Sequence, residues 1–158
     1  MTDTFKNENV EYDMTKLNKL ISSVAEGGSV KIGVLGSDAQ RGDGGIKNSE
    51  LAAIHELGSY SRNIPPRSFL RAAFLHGQDE FGTFLKSEKS KELIAEGDTK
   101  TLLARLGLFA ETLVQRAFET SGFGQWPALQ SSTVKAKGSS APLIDTGQLR
   151  RSISSEVE

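Results

Sequence analysis

Residues 50–73 read ELAAIHELGSYSRNIPPRSFLRAA, and they carry the most specific local signals of the chain. Apolar side chains recur at helical spacing up to Leu57, Ser49 stands where a helix cap belongs, and Glu50 suits the positive end of a helix. Gly58 follows at the position of a left-handed closing residue. The pattern predicts a short helix from Ser49 to Leu57 that ends at this glycine.

A pair of prolines then forces the chain to turn. Pro65 and Pro66 each push the preceding residue out of the helical region, so residues 63–66 are expected to be extended. Pro66 also suits the first turn of a helix, because the N–H that it lacks would have no partner there. The sequence therefore predicts a corner and then a second helix that begins within Arg67–Arg71.

Two distant segments have the alternation of a strand with one buried face. Val30, Ile32 and Val34 alternate with smaller or polar residues, and residues 153–157 alternate in the same way. An isolated strand leaves its backbone amides without partners, so we expect these two segments to pair in a short sheet.

The first part of the chain has weaker patterns. Residues 1–11 are polar and are expected to form a flexible arm, which leaves residues 12–158 as a single domain. Residues 14–25 have the spacing of an amphipathic helix with one buried face. Residues 37–48 contain three glycines and predict a mobile loop or a hairpin tip.

Two longer apolar stripes supply most of the expected core. One predicts a helix from Phe69 to about Ser87, in which Gly77 and Gly82 are points of bending or close approach. The other predicts a helix over residues 99–118. The fold class expected is α+β: two long packed helices and shorter helices against a small, mainly antiparallel sheet, with long flexible loops.

Composition narrows the function classes. The chain has 158 residues, 19 basic and 20 acidic side chains, a formal charge of −1 and no cysteine. The charge balance disfavours non-specific binding to nucleic acid or to an anionic membrane. The missing cysteines exclude disulfides and thiolate sites and fit a reducing cytoplasm. No apolar run is long enough to span a bilayer, and the polar start has no signal-peptide core.

Motifs for catalysis and cofactor binding are lacking. His55 and His76 have neither metal-binding spacing nor a patterned carboxylate partner, and no serine lies in a nucleophile elbow. The glycine-rich loop at 37–48 lacks the lysine and hydroxyl of a phosphate-binding loop. The triplet Asp145-Thr146-Gly147 is interpreted as a helix cap. We therefore predict no catalytic residue, no cofactor and no metal.

A second group of signals follows the last long helix. The only tryptophan, Trp126, is expected to anchor a loop by burying its flat side chain. Residues 142–153 read PLIDTGQLRRSI, in which Asp145 or Thr146 is expected to cap a short helical turn that carries Leu149.

The two groups of signals, in this order, resemble a family of small tail-completion proteins of tailed bacteriophages, also known as neck, minor tail or Mu-like virion-morphogenesis proteins. That family often has glutamate, an aromatic residue and glycine, followed by isoleucine, proline, proline or alanine, arginine, proline and phenylalanine. This chain departs from that pattern at Leu57, which replaces the aromatic residue, and at Ser68, which replaces the last proline. The resemblance covers about two thirds of the chain, from Leu51 onward.

The resemblance implies a structural virion protein and not an enzyme. It implies a ring of six copies at the head-tail junction or the proximal end of the tail, assembled in the cytoplasm of the bacterial host. Its partners would be the head connector or stopper and the tail terminator or tail tube proteins. DNA would pass through the lumen without specific binding, and no membrane is involved. The residues expected at a subunit or partner interface are Ile64, Pro65, Pro66, Arg67, Phe69, Arg71, Trp126, Asp145, Thr146, Gly147, Leu149 and Arg150.

Other functions remain open at this point. The chain could be a tail terminator or a minor tail protein located elsewhere in the tail. It could also be a nucleic-acid-binding module whose basic patch consists of Arg62, Arg67, Arg71, Arg150 and Arg151. An enzyme is the third alternative.

Overall fold

The computed structural model describes residues 4–7, 10–13, 15, 17–19, 21–22, 27–36, 45–144 and 146–158. The fold class is α+β, as predicted. The elements in chain order are β1 (Thr4–Asn7), β2 (Val10–Asp13), β3 (Val30–Val34), α1 (Asn48–Leu57), α2 (Leu70–His76), α3 (Gln78–Lys86), α4 (Glu88–Glu96), α5 (Thr99–Glu119), α6 (Ser131–Lys137), α7 (Gln148–Arg151) and β4 (Ile153–Val157).

The predicted sheet between the two distant segments is confirmed. Strand β3 pairs antiparallel with β4, and the register places Val30 opposite Val157 and Val34 opposite Ile153. Ile32 and Val34 pack against the core together with the buried Ile153. The alternating pattern therefore identified both the strands and the face that they bury.

The N-terminal part contains a pairing that the sequence pattern does not predict. Strand β1 lies in the segment interpreted as an arm, residues 1–11, and pairs antiparallel with β2, which extends past that segment to Asp13. Residues 15, 17–19 and 21–22 are helical, in agreement with the helix expected over residues 14–25. Leu17 and Ile21 of this segment are exposed, although the pattern predicts a buried face. None of the described elements covers these two side chains. Residues 37–44 of the expected loop lie outside the described residues.

The helix predicted from Phe69 to Ser87 is wrong as a single element, because it divides at Gly77. Helix α2 ends at His76 and α3 begins at Gln78. A Cβ built at Gly77 would lie 2.5 Å from Leu113 Cδ1, so glycine permits α5 to pack closely at the break. Gly82, the other expected weak point, lies within α3.

Helix α4 was missed by the sequence analysis. Ser87 caps it, since the Ser90 N–H donates to Ser87 Oγ at 3.3 Å. The Ser90 hydroxyl donates in turn to the Phe84 carbonyl at 2.8 Å, and Leu93 is buried. Charged side chains of this helix form ion pairs one helical turn apart, such as Lys91 with Glu88.

Helix α5 is the centre of the core, as the longer stripe predicts. Its start is capped by Asp98, whose carboxylate accepts the Thr101 N–H at 3.1 Å. The buried cluster consists of Phe69, Ala73, Leu113, Val114, Ala117, Phe118, Leu149 and Ile153. Burying each of its large side chains contributes about 1.5 to 3 kcal/mol to folding. The cluster joins α2, α5, α7 and β4, so the corner and the last elements of the chain share one core.

Candidate functional site

The corner after α1 is a tight, hydrogen-bonded turn. Ser59 and Ile64 exchange both backbone hydrogen bonds, at 2.8 and 2.9 Å. Gly58 ends α1 with φ +79 and ψ 174, a positive φ as expected but not the left-handed conformation. A Cβ at Gly58 would lie 2.9 Å from the Pro66 backbone nitrogen, so only glycine fits between the helix and the prolines.

The carboxylate of Glu56 caps α2 from the neighbouring helix. It accepts the backbone N–H groups of Phe69, Leu70 and Arg71 at 2.9, 3.0 and 3.1 Å, and also the hydroxyl of Ser68. A negative charge that accepts several orphan amides stabilises the positive end of a helix.

The observed starts of α2 and α1 correct two sequence predictions. Helix α2 begins at Leu70, within the predicted range Arg67–Arg71, but Pro66 is not a first-turn residue. The non-helical segment after the prolines continues to Phe69, where the Glu56 carboxylate accepts the first backbone N–H groups of α2. Ser49 likewise does not cap α1, which begins at Asn48 after Lys47 without a side-chain cap bond. The cap that matters here comes from a distant residue, which the local pattern cannot indicate.

Arg67 joins the corner to the loop after α5. Its backbone N–H donates to the His55 carbonyl at 2.7 Å. Its guanidinium donates from Nε to the Pro127 carbonyl at 3.0 Å and from Nη2 to the Ala128 carbonyl at 3.2 Å. The residue is only 6 % exposed, so these bonds hold a buried charge in place.

Trp126 makes the reciprocal connection. Its indole Nε1–H donates to the Ser68 carbonyl at 3.1 Å, and its ring meets Phe118 edge to face at 6.0 Å. Phe69 also packs against Phe118, with its ring centroid 5.0 Å from that of Phe118. The prediction that the tryptophan anchors a loop is confirmed. We call the segments 56–71 and 126–128, which these bonds join, the junction.

The C-terminal turn places α7 beside this junction. Gly147, with φ +72, is the residue that caps α7, and Thr146 offers its Oγ1 to the Gln148 N–H at 3.4 Å. The predicted cap therefore shifts by one residue, while Asp145 lies outside the described residues. Leu149 is buried in the core. Arg150 donates to Gln115 Oε1 at 2.6 Å and pairs with Glu119 on α5.

A cleft of about 510 Å³ opens between α1, α6 and the turn before α7, and we call it the α1–α6 cleft. Its lining includes the apolar side chains of Leu51, Leu129 and Leu143 and the basic side chains of Arg67 and Lys137. The Lys137 ammonium donates to the Ala141 carbonyl at 2.6 Å.

His55 also lines this cleft, and its Nδ1 atom is buried without a hydrogen-bond partner. Burial, together with the positive charges of Arg67 and Lys137, lowers the pKa of His55 to about 4. The imidazole is therefore neutral at pH 7. Sequence analysis noticed His55 but contained no signal for this position, because the cleft is formed by segments distant in sequence.

The residues expected at an interface divide into three groups by exposure. Pro65, Pro66, Arg71 and Thr146 are exposed, while Ile64, Trp126, Gly147 and Arg150 are half-buried. Arg67, Phe69 and Leu149 are buried and hold the fold together. Asp145 is outside the described residues. The structure thus brings most of these residues to the junction or to the α1–α6 cleft, where several make contacts within the chain that stabilise the fold.

The described ranges contain no group of three His, Cys, Asp or Glu side chains arranged to hold a metal ion. None of the described helices is long and apolar enough to cross a membrane. Comparison of the chain with protein-family models, with curated proteins and with solved structures finds no match.

Proposed function

We propose that this chain is a structural protein of a tailed-bacteriophage virion, of the neck or tail-completion type. The observation that carries the proposal is the junction. The two sequence signals that resemble the tail-completion family are far apart in the chain, yet Arg67 bonds to the Pro127 and Ala128 carbonyls and Trp126 bonds to Ser68. Residues that support one another in space form a structural unit, which favours a shared fold over two chance likenesses.

In this proposal the chain acts by its surfaces, as one subunit of a ring of six around the DNA channel. Several large apolar side chains are exposed on the isolated chain, which suits contacts between subunits. They include Leu57, Tyr60, Phe74, Leu75, Leu85 and Leu108. Tyr60 stands at the tip of the corner turn, fully exposed. A head-to-tail contact that closes on itself would build the ring.

The proposed neighbours are a head connector or stopper on one side and a tail terminator or tail tube on the other, within the virion. A formal charge of −1 per subunit suits a lumen through which DNA slides without being held.

Two measurements test this function. Native mass spectrometry of the purified chain should show a closed oligomer, either alone or when tail or connector protein is added. Micrographs of particles made without the protein should show filled heads beside unjoined or unfinished tails. A chain that stays monomeric with every tail and connector protein, together with normal particles in its absence, would overturn the proposal.

The nucleic-acid alternative has fewer free arginines than its sequence pattern suggests. Arg67 is buried against backbone carbonyls, and Arg150 is engaged with Gln115 and Glu119. Arg62, Arg71 and Arg151 are exposed. Binding to DNA that weakens steeply with rising salt, and that falls when these three are replaced by glutamine, would favour this alternative.

A further inference from the structure

The sheet of β3 and β4 has only these two strands within the described part of the chain, so each strand has an outer edge. The register shows which backbone groups lie on that edge. Ser29 and Glu158 exchange both of their backbone hydrogen bonds, at 3.0 and 2.9 Å. Because hydrogen-bonded pairs alternate along an antiparallel ladder, the N–H and C=O groups of Ser155 and Val157 point away from β3. The outer edge of β4 therefore offers backbone groups to which a further strand can bind.

Strand β4 lacks the features that usually protect an edge strand. Such strands are normally shielded by lysine, proline or a bulge, because their unpaired backbone groups attract other strands. The sequence of β4 is ISSEV, with Glu156 as its one charged residue, and its five residues pair with β3 without a bulge. Strand β3 contains Lys31 and also contacts α1. Of the two outer edges, that of β4 is the better docking surface.

The same chain contains a second two-stranded sheet. Among the described residues, β1 and β2 pair only with each other. A hairpin of two strands is marginally stable in water, and it becomes stable when further strands or a helix pack against it. The helical residues that follow the hairpin expose Leu17 at 45 % and Ile21 at 56 %. Both parts of this N-terminal region thus have surfaces that suit a partner molecule.

Apolar surface lies beside the β4 edge. The Ser155 hydroxyl donates to Glu111 Oε1 on α5 at 2.6 Å. Leu108 precedes Glu111 by about one helical turn, so these two side chains share a face of α5. Leu108 is 62 % exposed. A strand added at the β4 edge would therefore bring the residues that follow it close to an exposed leucine.

We propose that the β1–β2 hairpin of one copy pairs with the outer edge of β4 in a second copy, and that Leu17 and Ile21 pack near Leu108 of that copy. The contact extends the two-stranded sheet to four strands. Backbone hydrogen bonds supply the affinity in this mode of recognition. Because the hairpin and the β4 edge are different surfaces, the contact is head-to-tail, the kind that can close into a ring. The choice of a second copy as the partner rests on the proposed function.

The absence of cysteine from the chain makes cross-linking a direct test. Two full-length variants each carry a single cysteine, Glu11→Cys in β2 and Glu156→Cys in β4, and one of them is labelled with a heavy isotope. Their mixture is treated with a short bismaleimide, whose spacer tolerates different strand registers, and the products are identified by mass. The mixed dimer is the expected main product. The control replaces the second variant by Glu88→Cys on α4, where the side chain is 91 % exposed, and should give only the background of random collisions.

A matched pair of substitutions at Val157 tests the backbone edge itself. Val157→Pro removes the outward N–H and spares the hydrogen bonds that join β4 to β3. Val157→Ala also shortens the side chain but keeps the N–H. Proline should weaken self-association at least about tenfold relative to alanine, because one bond is lost and the ring obstructs the incoming strand. Sedimentation measures the association, and urea unfolding shows whether the two variants fold equally well.

The outcomes separate this contact from the ring. Mixed dimers that form no more readily at Glu156 than at Glu88, or equal self-association of the two Val157 variants, would overturn the strand contact. A cross-linked monomer from the double variant with Glu11→Cys and Glu156→Cys, without mixed dimers, would show that the hairpin binds its own copy and would overturn it too. A closed ring that forms despite Val157→Pro would contradict the contact and leave the proposed function standing. Association through the hairpin that ends in an open chain would support the contact and contradict the ring.

Discussion

Glu56 and His55 are neighbours on α1, both half-buried, and they have opposite surroundings. The Glu56 carboxylate accepts four hydrogen bonds, three from the amides at the start of α2 and one from Ser68. The His55 Nδ1 atom has no hydrogen-bond partner, and the positive charges of Arg67 and Lys137 act on the ring. One side chain completes the junction, and the other leaves a buried nitrogen without a hydrogen-bond partner in the lining of the α1–α6 cleft.

This difference in hydrogen bonding separates residues that stabilise the fold from residues whose polar atoms have no partner within the described part of the chain. A buried polar group is normally paired, because leaving it unpaired costs free energy. The junction follows this rule and is closed by its own side chains. The cleft departs from it at His55, and such departures tend to occur at sites of binding or chemistry.

The largest expected effect comes from removing the satisfied partner. Glu56→Ala should lower the free energy of unfolding by about 2 to 4 kcal/mol, because three amides and a hydroxyl lose a charged acceptor. The measurement is the midpoint of urea unfolding, followed by circular dichroism, with an unchanged dependence on denaturant.

The matched control is Glu50→Ala, in the exposed first turn of the same helix. It should cost about 0.3 to 1 kcal/mol, the value of a charge near a helix end. Equal costs for the two variants would show that the junction does not depend on Glu56, and the contrast with His55 would then lose its basis.

The second effect is the dependence of stability on pH that His55 introduces. Its pKa is lowered from 6.5 to about 4, so the unfolded chain binds a proton at a pH where the folded chain does not. This contribution to stability is complete above pH 6.5 and is lost as the pH falls from 6.5 to 4. A pKa difference of this size corresponds to at most about 3 kcal/mol, and solvent screening of the partly exposed ring reduces the contribution to the order of 2 kcal/mol.

His55→Leu removes this titration and the unpartnered nitrogen together. The stability of wild type relative to this variant should therefore decrease on going from pH 7 to pH 4, measured by urea unfolding at several pH values. Carboxyl groups titrate in the same pH range, but they are common to both proteins, so their effect on stability cancels in the difference between wild type and variant. A difference that is constant with pH would mean that the His55 ring is not held neutral.

The same contrast explains what the sequence could and could not predict. The sheet between residues 30–34 and 153–157 and the long helix α5 were predictable, because alternation and helical spacing are local patterns that a shared core then satisfies. The break at Gly77 was indicated only as a weak point, since its cause is Leu113, 36 positions away in the sequence. The same limit applies to the Glu56 cap and to the cleft around His55. Their partners come from other parts of the chain, and no spacing rule connects them.

The smallest effect concerns the hydrogen bond from Trp126 to Ser68, the contact by which the loop after α5 joins the junction. Trp126→Phe keeps a ring that can pack on Phe118 but loses the N–H that donates to the Ser68 carbonyl. The free energy of unfolding should fall by about 1 kcal/mol, the usual net value of one hydrogen bond.

The double variant with Glu56→Ala tests whether the two contacts are coupled. Glu56 accepts the hydroxyl of the same Ser68 whose carbonyl accepts the Trp126 N–H, so the double variant should cost less than the sum of the two single variants. Strict additivity, measured by circular dichroism because the only tryptophan is removed, would mean that the cap and the loop stabilise the corner independently and that the junction is two separate contacts.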